Sequence, residues 1–197
     1  MSVIGLLLAA GHSRRFGSQN KLIQPLSDGG LLALSSASRL LEVLPNSLAI
    51  VRPDAIELTA KLANLGINTI ACEDNEQLMA DSLVAGIRFA SSFYPQPHGY
   101  IVALADMPFV QSATIRQIEM RLLQGAGIVV PRHQGQRGNP VGFSAKFTDD
   151  LLRLSGDQGA RVLFEKYQSD IEYIDTDDAG ILMDIDTPED LLRNKGK

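Results

Sequence analysis

The sequence predicts an α/β protein, a doubly wound and mostly parallel sheet with helices on both faces, and three observations carry that prediction. Val3 to Leu8 and Gly99 to Ala105 are uninterrupted apolar runs, as strands covered on both faces must be. Strand-like and helix-like patterns alternate along the chain with no long linker, internal repeat or low-complexity tract. The 197 residues, 45% hydrophobic and 21% charged, suffice to bury a core without disulfides or structural metals. A single domain over residues 1–197 is expected.

The first strand is stopped by Ala10-Gly11, and a loop of small, basic and polar residues follows to Asn20. Leu22-Ile23 returns the chain to the core before a turn at Ser27-Asp28-Gly29-Gly30. Leu34, Ala37, Leu40 and Leu41 recur at helical spacing, which predicts a helix over 31–43 ended by Pro45 and Asn46. Strands at 48–51 and 68–71 flank a helix over 55–65 closed by Gly66, completing βαβαβ. A helix over 81–91 leads through the Pro95/Pro97 loop to the strand at 99–105. Ser112 is placed to cap a helix carrying Ile115, Ile118, Leu122 and Leu123, with Gly125 beyond its end and a strand at 128–130. The segment 132–144 reads as an irregular insertion over the sheet's active edge, with a short strand at 141–144. Helices near 147–154 and 160–167, a strand at 171–174 and a helix from Pro188 complete the chain.

Composition excludes several classes of function. The longest apolar stretches fall far short of the ~20 residues of a membrane helix. The N-terminus lacks the pattern of an export signal, so a cytoplasmic location is expected. Cys72 is the single cysteine, which agrees with a reducing compartment. His12, His98 and His133 fit no zinc spacing. Net charge is −5, with 18 basic residues scattered apart from Arg14-Arg15, so the footprint of a nucleic-acid binder is missing.

In an open α/β sheet, ligands bind beyond the carboxyl ends of the strands, so the residues that follow each apolar run are the first candidates. Gly11-His12-Ser13-Arg14-Arg15-Phe16-Gly17, with Lys21, has the chemistry of a polyphosphate loop: small residues admit backbone N–H groups while the cations neutralise charge. It matches neither the Walker loop nor the Gly-x-Gly-x-x-Gly fingerprint, and the latter absence weighs against an NAD-dependent oxidoreductase. The alternative is a basic surface loop, polar for solvation alone. Asp106, at the end of an apolar strand and before Met107-Pro108, is placed to hold Mg²⁺, a hard ion that takes one or two protein carboxylates plus phosphate oxygens; its alternative is a loop cap. In Met183-Asp184-Ile185-Asp186-Thr187-Pro188, either Asp186 or Thr187 caps the last helix. Only one of Asp184 and Asp186 is expected to face the same site as Asp106.

Taken together, these segments resemble the nucleotidyltransferase superfamily, and most closely its molybdenum cofactor cytidylyltransferase branch. The resemblance spans nearly the whole chain. It rests on Leu8 to Gly17 with Lys21, Leu78-Met79-Ala80-Asp81-Ser82-Leu83, Leu104-Ala105-Asp106-Met107-Pro108, Arg137-Gly138-Asn139-Pro140-Val141-Gly142-Phe143, Gly156 to Arg161 and Asp184 to Pro188. It implies transfer of CMP from CTP to the terminal phosphate of molybdopterin cofactor, with release of pyrophosphate. By the same resemblance Ala9, Ala10, Gly11, Ser13, Arg14 and Arg15 form the nucleotide loop, Lys21 meets the α-phosphate, and Arg15, Lys21 and Asp106 are catalytic. Asp106 and Asp186 hold Mg²⁺, and Met79, Ala80 and Ser82 lie near base and ribose.

Ala10 stands where guanylyl members carry glycine, and its methyl group narrows the space beside the base, which favours CTP. Arg137, Gly138, Asn139 and Pro140 are expected on the acceptor side, with Asn139 replacing the family's histidine and unable to carry its positive charge. Asp157 and Arg161 resemble a second acceptor-binding turn, though Asp157 serves equally as a helix cap. A molybdoenzyme or its chaperone would receive the product. Alternatives are guanylyl transfer to the same cofactor, transfer to another small phosphate, or a non-catalytic carrier of molybdopterin or nucleotide.

Overall fold

The structure, a computed structural model, describes residues 2–11, 16, 20–72, 79–156 and 159–193. Strands β1 (Val3–Ala9), β2 (Ser47–Val51), β3 (Asn68–Ala71) and β4 (Gly99–Leu104) run parallel in the order β3-β2-β1-β4. The connections between them are α1 (Leu32–Val43), α2 (Ile56–Asn64) and α3 (Met79–Phe93). After α4 (Ser112–Leu123), β5 (Ile128–His133) turns back through β6 (Gln136–Arg137), and β7 (Val141–Ser144) inserts antiparallel between β4 and β5. The helices α5 (Thr148–Leu152) and α6 (Arg161–Lys166) then lead to β8 (Ile171–Asp175), which runs parallel to β5, and α7 (Pro188–Arg193) follows. The expected mixed, mostly parallel α/β architecture is thus present as an eight-stranded sheet.

Each face of the sheet carries its own core, which explains the continuous apolar runs. Along β1, Val3, Leu7 and Ala9 pack with Ala33, Leu40, Leu58, Ile118 and Leu122, so α1, α2 and α4 cover one face. Ile4, Leu6 and Ala10 alternate to the other side, against Leu83, Ile87, Leu151 and Leu163 of α3, α5 and α6. Tyr100 is fully buried on that side, its hydroxyl shared with Ser91 and Thr148 at 3.1 and 3.2 Å. Among the described residues, no helix is long and apolar enough to cross a membrane.

Two local details differ from the sequence expectation. The segment 132–144 is more regular than expected. Arg132 and His133 pair with Arg137 and Gln136 in a hairpin turned at Gln134-Gly135, and Gly138-Asn139-Pro140, with a cis Asn139–Pro140 bond, then runs outside the strands to β7. Ser112 does not cap α4; it is the first helical residue and its hydroxyl donates to Glu42. The buried Asp178 serves that helix end instead, its Oδ2 accepting from the Gln111 N–H at 2.9 Å and from Thr114 Oγ1 at 2.7 Å.

Candidate functional site

Lys21 opens a single 3-10 turn (Lys21–Ile23) started by Asn20, whose side-chain oxygen accepts the Leu22 N–H at 3.1 Å. Leu22 is buried in the core, so the turn is anchored from beneath. The Lys21 side chain, only 10% exposed, reaches to the carboxyl end of β4, where its Nζ donates to Asp106 Oδ2 at 2.9 Å and to Asp186 Oδ1 at 3.0 Å. Three residues separated by up to 165 positions meet on one ammonium.

Each carboxylate is placed by its own backbone. Ala105 donates its N–H to Leu8 as β4 ends, and Ser36 of α1 holds the Ala105 carbonyl at 3.0 Å. Ile185 is fully buried and its N–H donates to the Asp106 carbonyl at 2.9 Å, which clamps the second segment against the first. Thr187 is the cap of α7: its Oγ1 accepts the Asp190 N–H, while Asp190 Oδ2 accepts from the N–H groups of Asp186 and Thr187. This reciprocal cap leaves the Asp186 carboxylate to face Lys21, while Asp184 is exposed; residues two apart on an extended segment share a face, so strand alternation does not account for the difference.

The electrostatics follow from that contact. Burial pulls the Lys21 pKa down more than any other single influence, but charge and hydrogen bonding from Asp106, then Asp186, outweigh it and hold the ammonium above its ordinary 10.5. The two carboxylates form a hard-oxygen donor pair around a point that now carries one positive charge. That donor chemistry fits a divalent ion sharing its remaining positions with phosphate oxygens.

A cleft of about 610 Å³ opens on the face covered by α3 and α6. Its floor is apolar, from Leu8, Leu83, Val141 and Phe164 among others, and its polar lining is Arg137, Asn139, Arg161 and Glu165. Arg137, Gly138, Asn139 and Arg161 therefore share one cleft, whereas Pro140 lies beside a minor crevice with Ser36 and Met107. The Gly138 backbone is pinned, since a Cβ there would overlap the Ile181 carbonyl oxygen, and Asn139 donates its N–H to that same oxygen at 3.0 Å.

Other expected contacts fare differently. Ala80 is completely buried and Ser82 nearly so, with the Ser82 hydroxyl 3.6 Å from Cys72 Sγ. Ala9 and Ala10 are buried on opposite faces of β1, which leaves Ala9 among the residues under α1 and Ala10 on the cleft's side of the sheet. Gly11 is exposed, and no described atom lies within 4 Å of a Cβ placed on it. Ser13, Arg14, Arg15, Asp157 and the side chain of Met79 lie outside the described residues. Sequence reasoning missed the apolar cleft floor, Glu165 and Asp178. The first two look like ordinary helix and strand positions, and Asp177-Asp178-Ala179-Gly180 reads as an exposed turn.

Residues 5–171 match the family model of the MobA-like NTP transferase domain. Among curated proteins, the chain is 31% identical to the purine catabolism protein PucB of Bacillus subtilis (strain 168), covering 95% of this chain and 93% of that protein. It is 26% identical to the molybdenum cofactor cytidylyltransferase of Escherichia coli (strain K12), covering 99% and 97%. It is 27% identical to the nicotine blue oxidoreductase of Paenarthrobacter nicotinovorans, covering 97% and 95%. Among solved structures, Rv0371c of Mycobacterium tuberculosis H37Rv superposes over 100% of both chains with a TM-score of 0.83 at 26% identity.

Proposed function

The chain belongs to the MobA-like NTP transferase family, and on that premise we propose that it transfers CMP from CTP to the terminal phosphate of molybdopterin cofactor. An oxygen of the acceptor phosphate bonds to the α-phosphorus, the bond from that phosphorus to the β-phosphate oxygen breaks, and pyrophosphate leaves. Both reactants are anionic, so positioning and charge neutralisation are what the protein must supply. The observation that carries this reading is the convergence of Lys21 with Asp106 and Asp186 at the ends of β1 and β4.

In this reading Asp106 and Asp186 hold Mg²⁺, which when bound neutralises charge on the phosphate oxygens. Lys21, whose ammonium lies at the same point, would meet the α-phosphate. Gly11, Ser13, Arg14 and Arg15 wrap the β- and γ-phosphates, with Arg15 acting on the departing pyrophosphate. Ala10 and the backbone at Met79 border the base. Arg137, Gly138, Asn139, Pro140, Asp157 and Arg161 receive the acceptor, whose flat ring system suits the apolar floor of the cleft. A single domain over residues 1–197 does this work in the cytoplasm and passes its product to a molybdoenzyme or that enzyme's chaperone.

The relatives named as a purine catabolism protein and as a nicotine blue oxidoreductase favour a second reading, in which the same machinery serves another acceptor. Pyrophosphate release is therefore measured with CTP, GTP, ATP and UTP, each with molybdopterin cofactor, with and without Mg²⁺ or Mn²⁺. Release confined to CTP with the cofactor and a divalent ion is expected. Release with GTP alone, or none with any triphosphate, refutes the proposal.

A further inference from the structure

Two guanidinium groups rest on one aromatic ring at the rim of the cleft. The Cζ atoms of Arg132 and Arg137 lie 4.6 and 5.0 Å from the ring centroid of Tyr173. Strand pairing dictates the arrangement. Arg132 and Arg137 are directly opposed in the β5–β6 hairpin, while β8 places Tyr173 beside Val130, a residue of the cleft floor, and Asp175 beside Arg132. Like charges directly opposite repel, so something must hold them together.

The two arginines are held differently. Arg132 closes a two-toothed contact on Asp175, Nε to Oδ1 and a terminal nitrogen to Oδ2, both at 3.1 Å. Its hydrogen-bonding fork is therefore committed. Arg137 pairs with no carboxylate among the described residues, although it lines the cleft. Its backbone is fixed by the hairpin and by Gly138 N–H donating to the Pro131 carbonyl at 2.9 Å. The Tyr173 face is then the contact that decides where the Arg137 side chain sits, and a cation over a ring keeps its in-plane N–H groups available for hydrogen bonding.

We infer that Tyr173 is a positioning residue that presents Arg137 as an uncommitted fork to an anionic group of the acceptor. The anion is the acceptor's phosphate in the reading proposed above, on which this inference rests. Asp175 assists by neutralising Arg132, so that the second positive charge on the ring does not drive Arg137 away.

The test varies acceptor at saturating CTP. Replacing the ring by Tyr173→Leu is expected to raise the acceptor KM about 5- to 30-fold, with kcat and the CTP KM within about two-fold of wild type. Tyr173→Phe, which keeps the aromatic face, is expected to restore the KM. Tyr173→Val, a good strand former, runs in parallel so that the result does not depend on one variant folding. Without substrate, the Arg137 Nε–Hε resonance is expected upfield through the ring current in wild type and Tyr173→Phe, and shifted away in Tyr173→Leu. An unmoved resonance overturns the stacking; a moved resonance with unchanged acceptor KM overturns the role. Should wild type transfer nothing to molybdopterin, the proposed function fails on its own, and inorganic phosphate titrated against the same resonance decides this inference. Equal phosphate affinity in wild type and Tyr173→Leu overturns it.

Discussion

Replacing Lys21 by methionine keeps most of the unbranched side chain, one atom shorter, and removes its charge, which separates what the ammonium does for stability from what it does for turnover. Hydrogen bonds to charged partners contribute about 1.5–3 kcal/mol each. The Asp186 carboxylate is 40% exposed, so its contact is worth nearer the ~0.2–1 kcal/mol of a surface pair. Against about 2–4 kcal/mol for the two contacts stands the cost of burying the ammonium, which methionine avoids. A net loss of about 1–2 kcal/mol remains, or a fall in Tm of roughly 2–8 °C for a chain of this size.

Such a loss leaves the protein folded. Turnover behaves otherwise if the ammonium meets the charge developing at the α-phosphate, where removing one such donor costs about 10²- to 10³-fold in kcat. The two numbers come from one variant, by thermal unfolding and by pyrophosphate release at saturating substrates. Without the lysine the two carboxylates face each other uncompensated, so Mn²⁺ titrated into the substrate-free variant and followed by electron paramagnetic resonance is expected to bind more tightly than to wild type.

The pH dependence has a definite sign. A lysine whose pKa is raised in the fold contributes stability that is fully present below 10.5 and is lost as pH rises through the higher folded value. The stability difference between wild type and Lys21→Met is therefore expected to be constant from about pH 6 to 9 and to shrink only in more alkaline solution. A kcat within about five-fold of wild type refutes the catalytic assignment, and a stability difference that fades between about pH 6 and 9 refutes the electrostatic one.

Asp106→Asn is expected to retain measurable molybdopterin binding by equilibrium titration while losing about 10²-fold or more in turnover, since a neutral amide cannot hold the divalent ion in the same way. Unchanged turnover removes the metal argument. Asp178→Ala strips one buried acceptor from Gln111, Thr114 and Gly180, whose N–H donates to Asp178 Oδ1 at 2.9 Å. At ~1–3 kcal/mol per orphaned donor, less the relief of a buried charge, the expected cost is about 3 kcal/mol, read as a lower Tm or urea midpoint; Asp178→Asn, which keeps an acceptor, costs less. Asp190→Ala removes half of the reciprocal cap and is expected to cost about 0.5–2 kcal/mol at neutral pH. The Thr187 hydroxyl foremost, then the N–H groups of Thr187 and Asp186, hold the Asp190 carboxyl below its ordinary 3.8. That contribution is present above pH 3.8 and lost as pH falls through the depressed value, so a difference between the two proteins that persists undiminished at pH 2 contradicts the assignment.

The sequence alone determined what depends on neighbours along the chain. Val3 to Leu8 reads as a strand buried on both sides because every residue is apolar, and the pairing of β1 with β2 and β4 is the consequence. The turn chemistry of Thr187-Pro188 is a property of a few consecutive residues, legible without a fold. So was the position of Asp106 at the end of β4.

The tertiary structure decided what depends on distance in space. The bond from Ile185 to the Asp106 carbonyl brings two aspartates together across 80 residues, and nothing in either segment encodes the other's position. The cap of α4 comes from Asp178, 67 residues beyond Gln111 in the chain, rather than from the adjacent Ser112, which is already the first helical residue and donates its hydroxyl to Glu42. Ala80 and Ser82 belong to a motif by order but to the core by packing, since helical periodicity does not say which face meets the sheet until the sheet exists. The pairing of Arg132 with Arg137 over Tyr173 likewise required three strands in register, a relation that hydrogen bonds between strands fix and local propensity does not.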